Sequence, residues 1–410
     1  MRWLPELFRN KNYMLLWSGQ VVSTVGSSAS QIIYPLLILA LTDSPAAAGI
    51  AAAARALPYL LFSLPVGALV DRWDRKRVMI LSDVGRVLAI ASIPIALALD
   101  ALSLLQIYAV SFVEGTLFVF FNIAEVTALS RVVPAAQLPQ AAAQNEAAFG
   151  AAGIIGPSFG TILFQTLGRS APFIADAVSF ALSALSVMLI KADFRKAAPP
   201  PSRGLLHEIG EGLRWMWQMP LIRTMAFLTG GLNMVNAAAP LILIVIARKL
   251  GANAAEIGLI FSIGAAGGIV GSLIGGQIQR SFSFTQVILA VMWINALLFA
   301  LYGVVAHFIL LGVISALIWT LGPVYNVVQF SYRLALIPDQ LQGRVNSAFR
   351  LLAFGFNPLG AALSGWLLEY AGTDTAVMVF AAWCLLLAGG ATLNRHVRNA
   401  RPFSEVTTST

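Results

Sequence analysis

The chain has 410 residues, 58% of them hydrophobic and 11% charged, with a net charge of +8. An ordinary soluble domain carries roughly 25% charged residues, so this composition excludes a soluble globular protein and points to a membrane. The cations sit mostly in short polar stretches and at the ends, where they set topology and do not form a nucleic-acid patch.

Runs of about 20 or more apolar residues cross a bilayer as helices. Twelve are predicted, over 13–41, 46–70, 77–99, 102–130, 138–167, 171–190, 221–247, 253–279, 284–305, 307–332, 343–369 and 374–394. Their length and continuity favour helices over the alternating decamers of a β-barrel. The first run follows Arg2, Arg9 and Lys11 and is too long for a signal-peptide core, so it reads as a span entered from the cytoplasm. Between the second and third lies Gly67-Ala-Leu-Val-Asp71-Arg72-Trp-Asp74-Arg75-Lys76-Arg77, a glycine, two acids and a burst of cations. Such a knot is a short cytoplasmic loop under the positive-inside rule. The alternate loops carrying Arg131, Lys191, Arg195, Lys196, Arg203, Arg280, Arg333 and Arg344 fall on the same side. The opposite side carries Arg169, Arg248 and Lys249, with Arg248-Lys249 a local conflict. Both termini come out cytoplasmic.

After the sixth run comes a basic, proline-rich tether, Lys191 to Arg203, followed by Leu205–Gln218. There Leu205, Leu206, Ile209, Leu213, Met216 and Trp217 recur at helical spacing, opposite His207, Glu208, Glu211 and Arg214. This predicts an amphipathic helix in the inner interface, with an extension of the seventh span as the alternative. The organisation is therefore an all-α membrane protein of two pseudo-symmetric six-helix halves: 1–190, a linker 191–219, a second half 220–396 and a tail 397–410. Internal similarity supports duplication. Asn145 and Asn346 each precede a proline, Pro157 and Pro358, by the same interval, and each proline is soon followed by Gly160 or Gly360. Gly275-Gly276 to Arg280 is a worn copy of the Gly67–Arg77 loop.

Together these residues resemble the major facilitator superfamily. Gly67, Leu69, Asp71, Arg72, Arg75 and Lys76 fit its loop signature, with departures at Val70 and Asp74. Gly153 to Gly160, with Gly156-Pro157, is similar to its span-five exporter motif, with Ala152 and Thr161 replacing flanking glycines. Arg55 to Pro58, Asp71 to Arg75, Leu138 to Gly160 and Gly343 to Gly360 look like the macrolide-efflux and enterobactin-exporter branch. The resemblance implies alternating access by two halves of one monomer around a central site. It also implies a gate at Gly67, Asp71, Arg72, Arg75, Lys76, Arg131, Gly156 and Pro157, with Asp71 capping the helix that begins near Gly343.

Ionisable groups deep in a bilayer cost roughly 2.5–3.5 kcal/mol each and usually mark function or a structural pair. Arg55 lies about 18 Å along a helix from Gly67, and Glu114 falls at a similar depth in span four. They are expected to pair, as a protonation switch or as a static bridge. Glu125 is close to three turns beyond Glu114 and shares its face. It joins the proton-coupling set, with a pairing to Arg131 as the alternative. Asp83 and Arg86 read as a local intrahelical pair, and Asp176, near an outer end, as a solvated acid. The substrate cavity is expected to draw on Gln20, Gln31, Tyr34, Asn233, Asn236, Trp319, Phe354 and Asn357, aromatic and amide groups suited to an amphipathic molecule. No nucleophile–base–metal grouping appears; His207, His307 and Cys384 are scattered, and no cofactor or metal is expected. The reading is a transporter of the bacterial inner membrane, a proton-coupled exporter of drugs, macrolides or siderophore-like molecules. An uptake permease for a small metabolite or lipid-like solute is the alternative, and a non-transporting receptor or scaffold the third.

Overall fold

Inside a bilayer every backbone N–H and C=O must be satisfied within the segment, which for continuous apolar runs leaves the helix. The computed structural model describes residues 6–70, 72–192, 194, 205–338 and 341–400, and among them contains helices and no strand. Among the described residues, twelve helices are long and apolar enough to cross a membrane. Spans 1 to 6 are Lys11–Thr42, Pro45–Val70, Arg75–Ala98, Leu104–Val132, Leu138–Leu167 and Ala171–Leu189. Spans 7 to 12 are Pro220–Lys249, Ala254–Ser281, Phe284–Val304, Phe308–Leu336, Gln342–Tyr370 and Thr373–Leu393.

Polar residues between the apolar runs cap the helix ends. Asp74 accepts hydrogen bonds from the N–H groups of Lys76 and Arg77 and so starts span 3. That use accounts for an acid where the loop signature has glycine. Asn253 with Glu256, and Ser283 with Gln286, close reciprocal capping boxes on spans 8 and 9. Proline acts unequally in the two repeats. Span 5 runs unbroken through Pro157, whereas span 11 breaks at Phe356 into Gln342–Gly355 and Asn357–Tyr370. Pro358 opens the second piece, where its missing N–H costs no intrahelical bond.

Contacts divide the chain into two units, Met1–Asp43 with Ile50–Ser202, and Ser44–Gly49 with Arg203–Thr410. The start of span 2 groups with the second unit, where Glu369 accepts hydrogen bonds from the Ser44 hydroxyl at 2.6 Å and the Ala46 N–H at 2.9 Å. The linker helix, Leu205–Gln218, also belongs to that unit. Its Gly212 presses on the main chain of Arg344, whose guanidinium pairs with Glu211. The apolar Met216 is buried while Trp217 is exposed. This helix is therefore held against the first part of span 11. Most of the tether and the tail from residue 401 onward lie outside the described residues.

Between helices in lipid, close approach of backbones replaces the hydrophobic drive, and glycine permits it. In the first unit Gly115 meets the Arg55 carbonyl, joining spans 4 and 2, and Gly160 meets the Ala29 carbonyl, joining spans 5 and 1. The second unit repeats the scheme. Gly267 and Gly271 lie on the carbonyls of Ala316 and Thr320, joining spans 8 and 10, and Gly360 lies on the Met234 carbonyl, joining spans 11 and 7. A methyl group at Gly267 would overlap the span 10 main chain, which side-chain rotation cannot relieve. Gly267→Ala is expected to lower stability by about 1–3 kcal/mol, read as a fall in thermal unfolding temperature in detergent. Gly276→Ala, where nothing stands within 4 Å, should leave it unchanged or slightly higher.

Candidate functional site

The first unit buries an unusual density of charge. Span 2 presents Arg55 and span 4 presents Glu114, joined by an Nη2–Oε1 contact of 2.7 Å. The Glu114 side chain is 2% exposed and that of Arg55 25%. Glycine explains why these spans approach so closely: Gly115, the neighbour of Glu114, packs on the carbonyl of Arg55 itself. The guanidinium also stands 6.0 Å from the centre of the Tyr34 ring of span 1. The second carboxylate oxygen, Glu114 Oε2, and the Tyr34 hydroxyl are both buried without a hydrogen-bond partner among the described residues. An unpartnered buried carboxylate oxygen is costly in low dielectric.

Span 3 adds Asp83 and Arg86, whose Oδ1 and Nη1 lie 3.6 Å apart as the i,i+3 spacing predicts. Both are buried, and Arg86 is enclosed by the rings of Phe180 at 4.7 Å, Phe121 at 5.3 Å and Phe118 at 5.5 Å. Three aromatic faces stabilise a cation without a full ion pair.

Two expectations are corrected here. Asp176 is not a solvated acid at the outer end of span 6. It is fully buried, with Oδ2 2.5 Å from the Ser30 hydroxyl of span 1. Glu125 does not reach Arg131, which is exposed; it is 4% exposed, with the Gln20 side chain of span 1 as its polar neighbour. Both corrections have one physical cause. Position along a helix gives depth, but the facing helix decides burial, and span 1 faces both acids.

Sequence reasoning missed the seam between spans 1 and 6 although its signal was present. Gly19, Ser23, Gly26 and Ser30 recur at alternating intervals of four and three, as do Asp176, Ser179, Ser183 and Ser186 at three and four. Gly19 meets Ser183 and Ser186, and Gly26 meets Ser179 and Asp176. Two small-residue stripes thus zip antiparallel to each other.

The expected gate residues occupy varied places. Arg75 is buried and donates to the Phe194 carbonyl at 3.0 Å, while Lys76 Nζ donates to the carbonyls of Met188 at 2.9 Å and Ile190 at 2.6 Å. Lys76 therefore satisfies carbonyls at the end of span 6, where the helix dipole is negative, and Arg75 holds the chain just beyond it. Arg72 is exposed, Gly67 has nothing within 4 Å of its Cβ position, and Asp71 lies outside the described residues. Gly156 packs on Ser28 and Ala29, with Pro157 buried beside it.

Of the expected cavity residues in the first unit, Gln20 and Tyr34 are buried and Gln31 is exposed. A shallow cleft between spans 1 and 5 is lined by Gln20, Val21, Thr24, Asn145, Ala148 and Phe149. In the second unit Asn233 donates to the Ala353 carbonyl at 2.9 Å, across spans 7 and 11, and Trp319 packs against Phe261 and over Gly264. Asn236 and Phe354 are exposed, and Asn357 Oδ1 is buried without a partner among the described residues. No group of three or more metal-ligating side chains occurs among the described residues.

A family model described as transmembrane secretion effector matches residues 3–407. The multidrug efflux pump Tap of Mycolicibacterium fortuitum is 26% identical over 392 residues, covering 91% of this chain and 93% of that protein. The enterobactin exporter EntS of Shigella boydii is 25% identical over 375 residues, covering 89% of this chain and 88% of that one. Among solved structures, a bacterial homologue of the iron transporter ferroportin gives a TM-score of 0.75 at 13% identity, over 98% of this chain and 99% of that one. The nucleoside transporter NupG gives 0.75 at 12%, over 96% and 100%. Those two likenesses concern the fold alone.

Proposed function

Because the chain belongs to the transmembrane secretion effector family of major facilitator transporters, we propose that it exports amphipathic organic molecules, drugs or siderophore-like compounds, in exchange for protons. The direction and the substrate class are supported by the similarity to Tap, a multidrug efflux pump, and EntS, an enterobactin exporter. The loop charges support an orientation in the bacterial inner membrane with both termini cytoplasmic.

The observation that carries the coupling is the buried Arg55–Glu114 pair with its unpartnered Oε2. With Glu114 ionised, the carboxylate holds Arg55 and so holds span 2 to span 4. A proton on Glu114 removes the charge that binds the guanidinium, and Arg55 is then free to answer another anion or a bound substrate. A ligand moves an equilibrium only by binding one state better than the other, and the proton does so here because only one state offers Glu114 without its cation. Glu125, buried on the same helix beside Gln20, is the second carboxyl in this scheme. Gln20, Gln31, Tyr34, Asn233, Asn236, Trp319, Phe354 and Asn357 are proposed to contact substrate from their separate units.

The test is uptake of a panel of amphipathic dyes, macrolides and a catecholate siderophore into everted membrane vesicles from cells expressing the protein. The expected result is accumulation of at least one compound that collapses when the pH gradient is dissipated. Accumulation indifferent to the gradient would remove proton coupling, and accumulation only in right-side-out vesicles would reverse the direction.

A further inference from the structure

A seam of small residues needs only glycine and serine to bring two helices together, and at its buried centre this one carries a carboxyl instead. The space for that carboxyl is built. A side chain at Gly26 would meet the Ser179 hydroxyl and come within 2.8 Å of Asp176 Oδ1. The donors are built as well, and their protons can be counted. The Ser30 hydroxyl has one proton and two acceptors, Asp176 Oδ2 at 2.5 Å and the Ser27 carbonyl at 3.2 Å. The Ser179 hydroxyl likewise chooses between the Asp176 carbonyl at 2.7 Å and Asp176 Oδ1 at 3.3 Å. The same heavy-atom positions therefore suit two protonation states. As a carboxylate, Asp176 accepts from Ser30. As a carboxylic acid, it donates its own proton to the Ser30 oxygen, and Ser30 turns its proton to the Ser27 carbonyl.

The charges around it give that choice a consequence. Glu114, Arg55 and Arg86 act on Asp176 from spans 4, 2 and 3. Of the helices packed on span 6, span 1 contributes Tyr34 and span 3 contributes Asp83 and Arg86, while Glu146 of span 5 is exposed near the far end of that helix. Lys11, Tyr13, Arg75, Lys76 and Arg77 lie toward the opposite end of span 6, where Lys76 reaches Ile190. Asp83, Glu114 and Asp176 thus face two guanidiniums, the half-buried Arg55 and the buried Arg86. Arg55 has a close partner in Glu114 and Arg86 stands near Asp83, so Asp176 is the carboxyl left to hydroxyl donors. The Tyr34 hydroxyl, buried and unpartnered, stands on a ring packed edge-on against Phe173, one turn from Asp176, and the same ring faces Arg55.

We propose that Asp176, in the Gly26–Ser30–Ser179 seam, is a further proton-binding site, distinct from Glu114 and Glu125, which takes a proton on Oδ2 and releases it while the helices stay in place. The proposal rests on the proton-coupled reading in assigning this proton a place in the transport cycle; the binding itself does not.

The test is infrared difference spectroscopy of the full-length protein in lipid, without substrate, between acidic and alkaline buffer, with carboxyl-labelled aspartate to separate Asp from Glu bands. The expected spectrum shows a protonated aspartate C=O stretch lost on going to alkaline buffer. That component is absent in Asp176→Asn and retained in Asp83→Asn and in Glu114→Gln. In Ser30→Ala it remains but moves to higher frequency, the direction for a carboxyl that has lost a hydrogen-bond partner. An aspartate component unchanged in Asp176→Asn, or unmoved in Ser30→Ala, overturns the proposal. Loss of the Asp176 component with no proton-coupled export in vesicles would instead leave this site standing and refute the coupling.

Discussion

Glu114→Gln is expected to abolish pH-driven substrate movement while leaving a folded protein in the membrane. Glutamine keeps the shape of the side chain and an oxygen for Arg55 Nη2, so the packing of span 4 on span 2 through Gly115 survives. What it removes is the charge that, in the proposed coupling, binds the guanidinium in one protonation state and lets it go in the other. Driven accumulation should fall to the level seen without a gradient, whereas exchange of substrate down its own gradient should persist. A Glu114→Gln protein that transports at the wild-type rate under a pH gradient would remove Glu114 from the coupling mechanism.

The second large effect is on stability. Arg55→Ala leaves the Glu114 carboxylate, 2% exposed, with neither oxygen partnered by a cation. Breaking a buried pair by removing one member typically costs about 3–5 kcal/mol, and removing both costs less. Arg55 itself is one-quarter exposed, so the loss should fall at the lower end of that range. Arg55→Ala with Glu114→Ala should therefore unfold at a higher temperature than Arg55→Ala alone. Additive losses in a double-mutant cycle would show that the pair contributes no interaction energy.

The sequence made the twelve helices legible because a bilayer leaves one backbone solution for long apolar runs, and length alone counts them. It also made Arg55 and Glu114 legible, because opposite charges at one depth in neighbouring spans have few other ways to be tolerated. It was less informative where the answer depended on a facing helix. Asp176 reads as exposed when counted from the end of span 6, yet span 1 covers it with Gly26 and Ser30. Glu125 reads as a partner for Arg131 along its own helix, but Gln20 comes from across the packing. The matched stripes 19/23/26/30 and 176/179/183/186 held the missing information, since small residues at such spacing announce which faces meet. Proline was likewise ambiguous. Pro157 and Pro358 look equivalent in the repeats, but only the second coincides with a helix break.

The signature loop shows how one motif serves several physical ends. Asp74 starts span 3, Lys76 takes up the terminal carbonyls of span 6, and Arg75 binds the Phe194 carbonyl just beyond that helix. These contacts give the cations a structural use within the first unit in addition to their part in setting topology. A role in gating is a separate matter, carried by the resemblance of Gly67, Asp71 and Arg72 to the superfamily signature.

The most direct measurement of the central claim is proton movement driven by substrate. Purified protein is reconstituted into proteoliposomes containing a pH-sensitive dye, and a compound identified in the vesicle panel is added outside with no pH gradient imposed. A proton-coupled exchanger predicts a change in internal pH that depends on substrate and on protein, and that vanishes in Glu114→Gln. Substrate entry by the wild-type protein with no accompanying change in internal pH would contradict it.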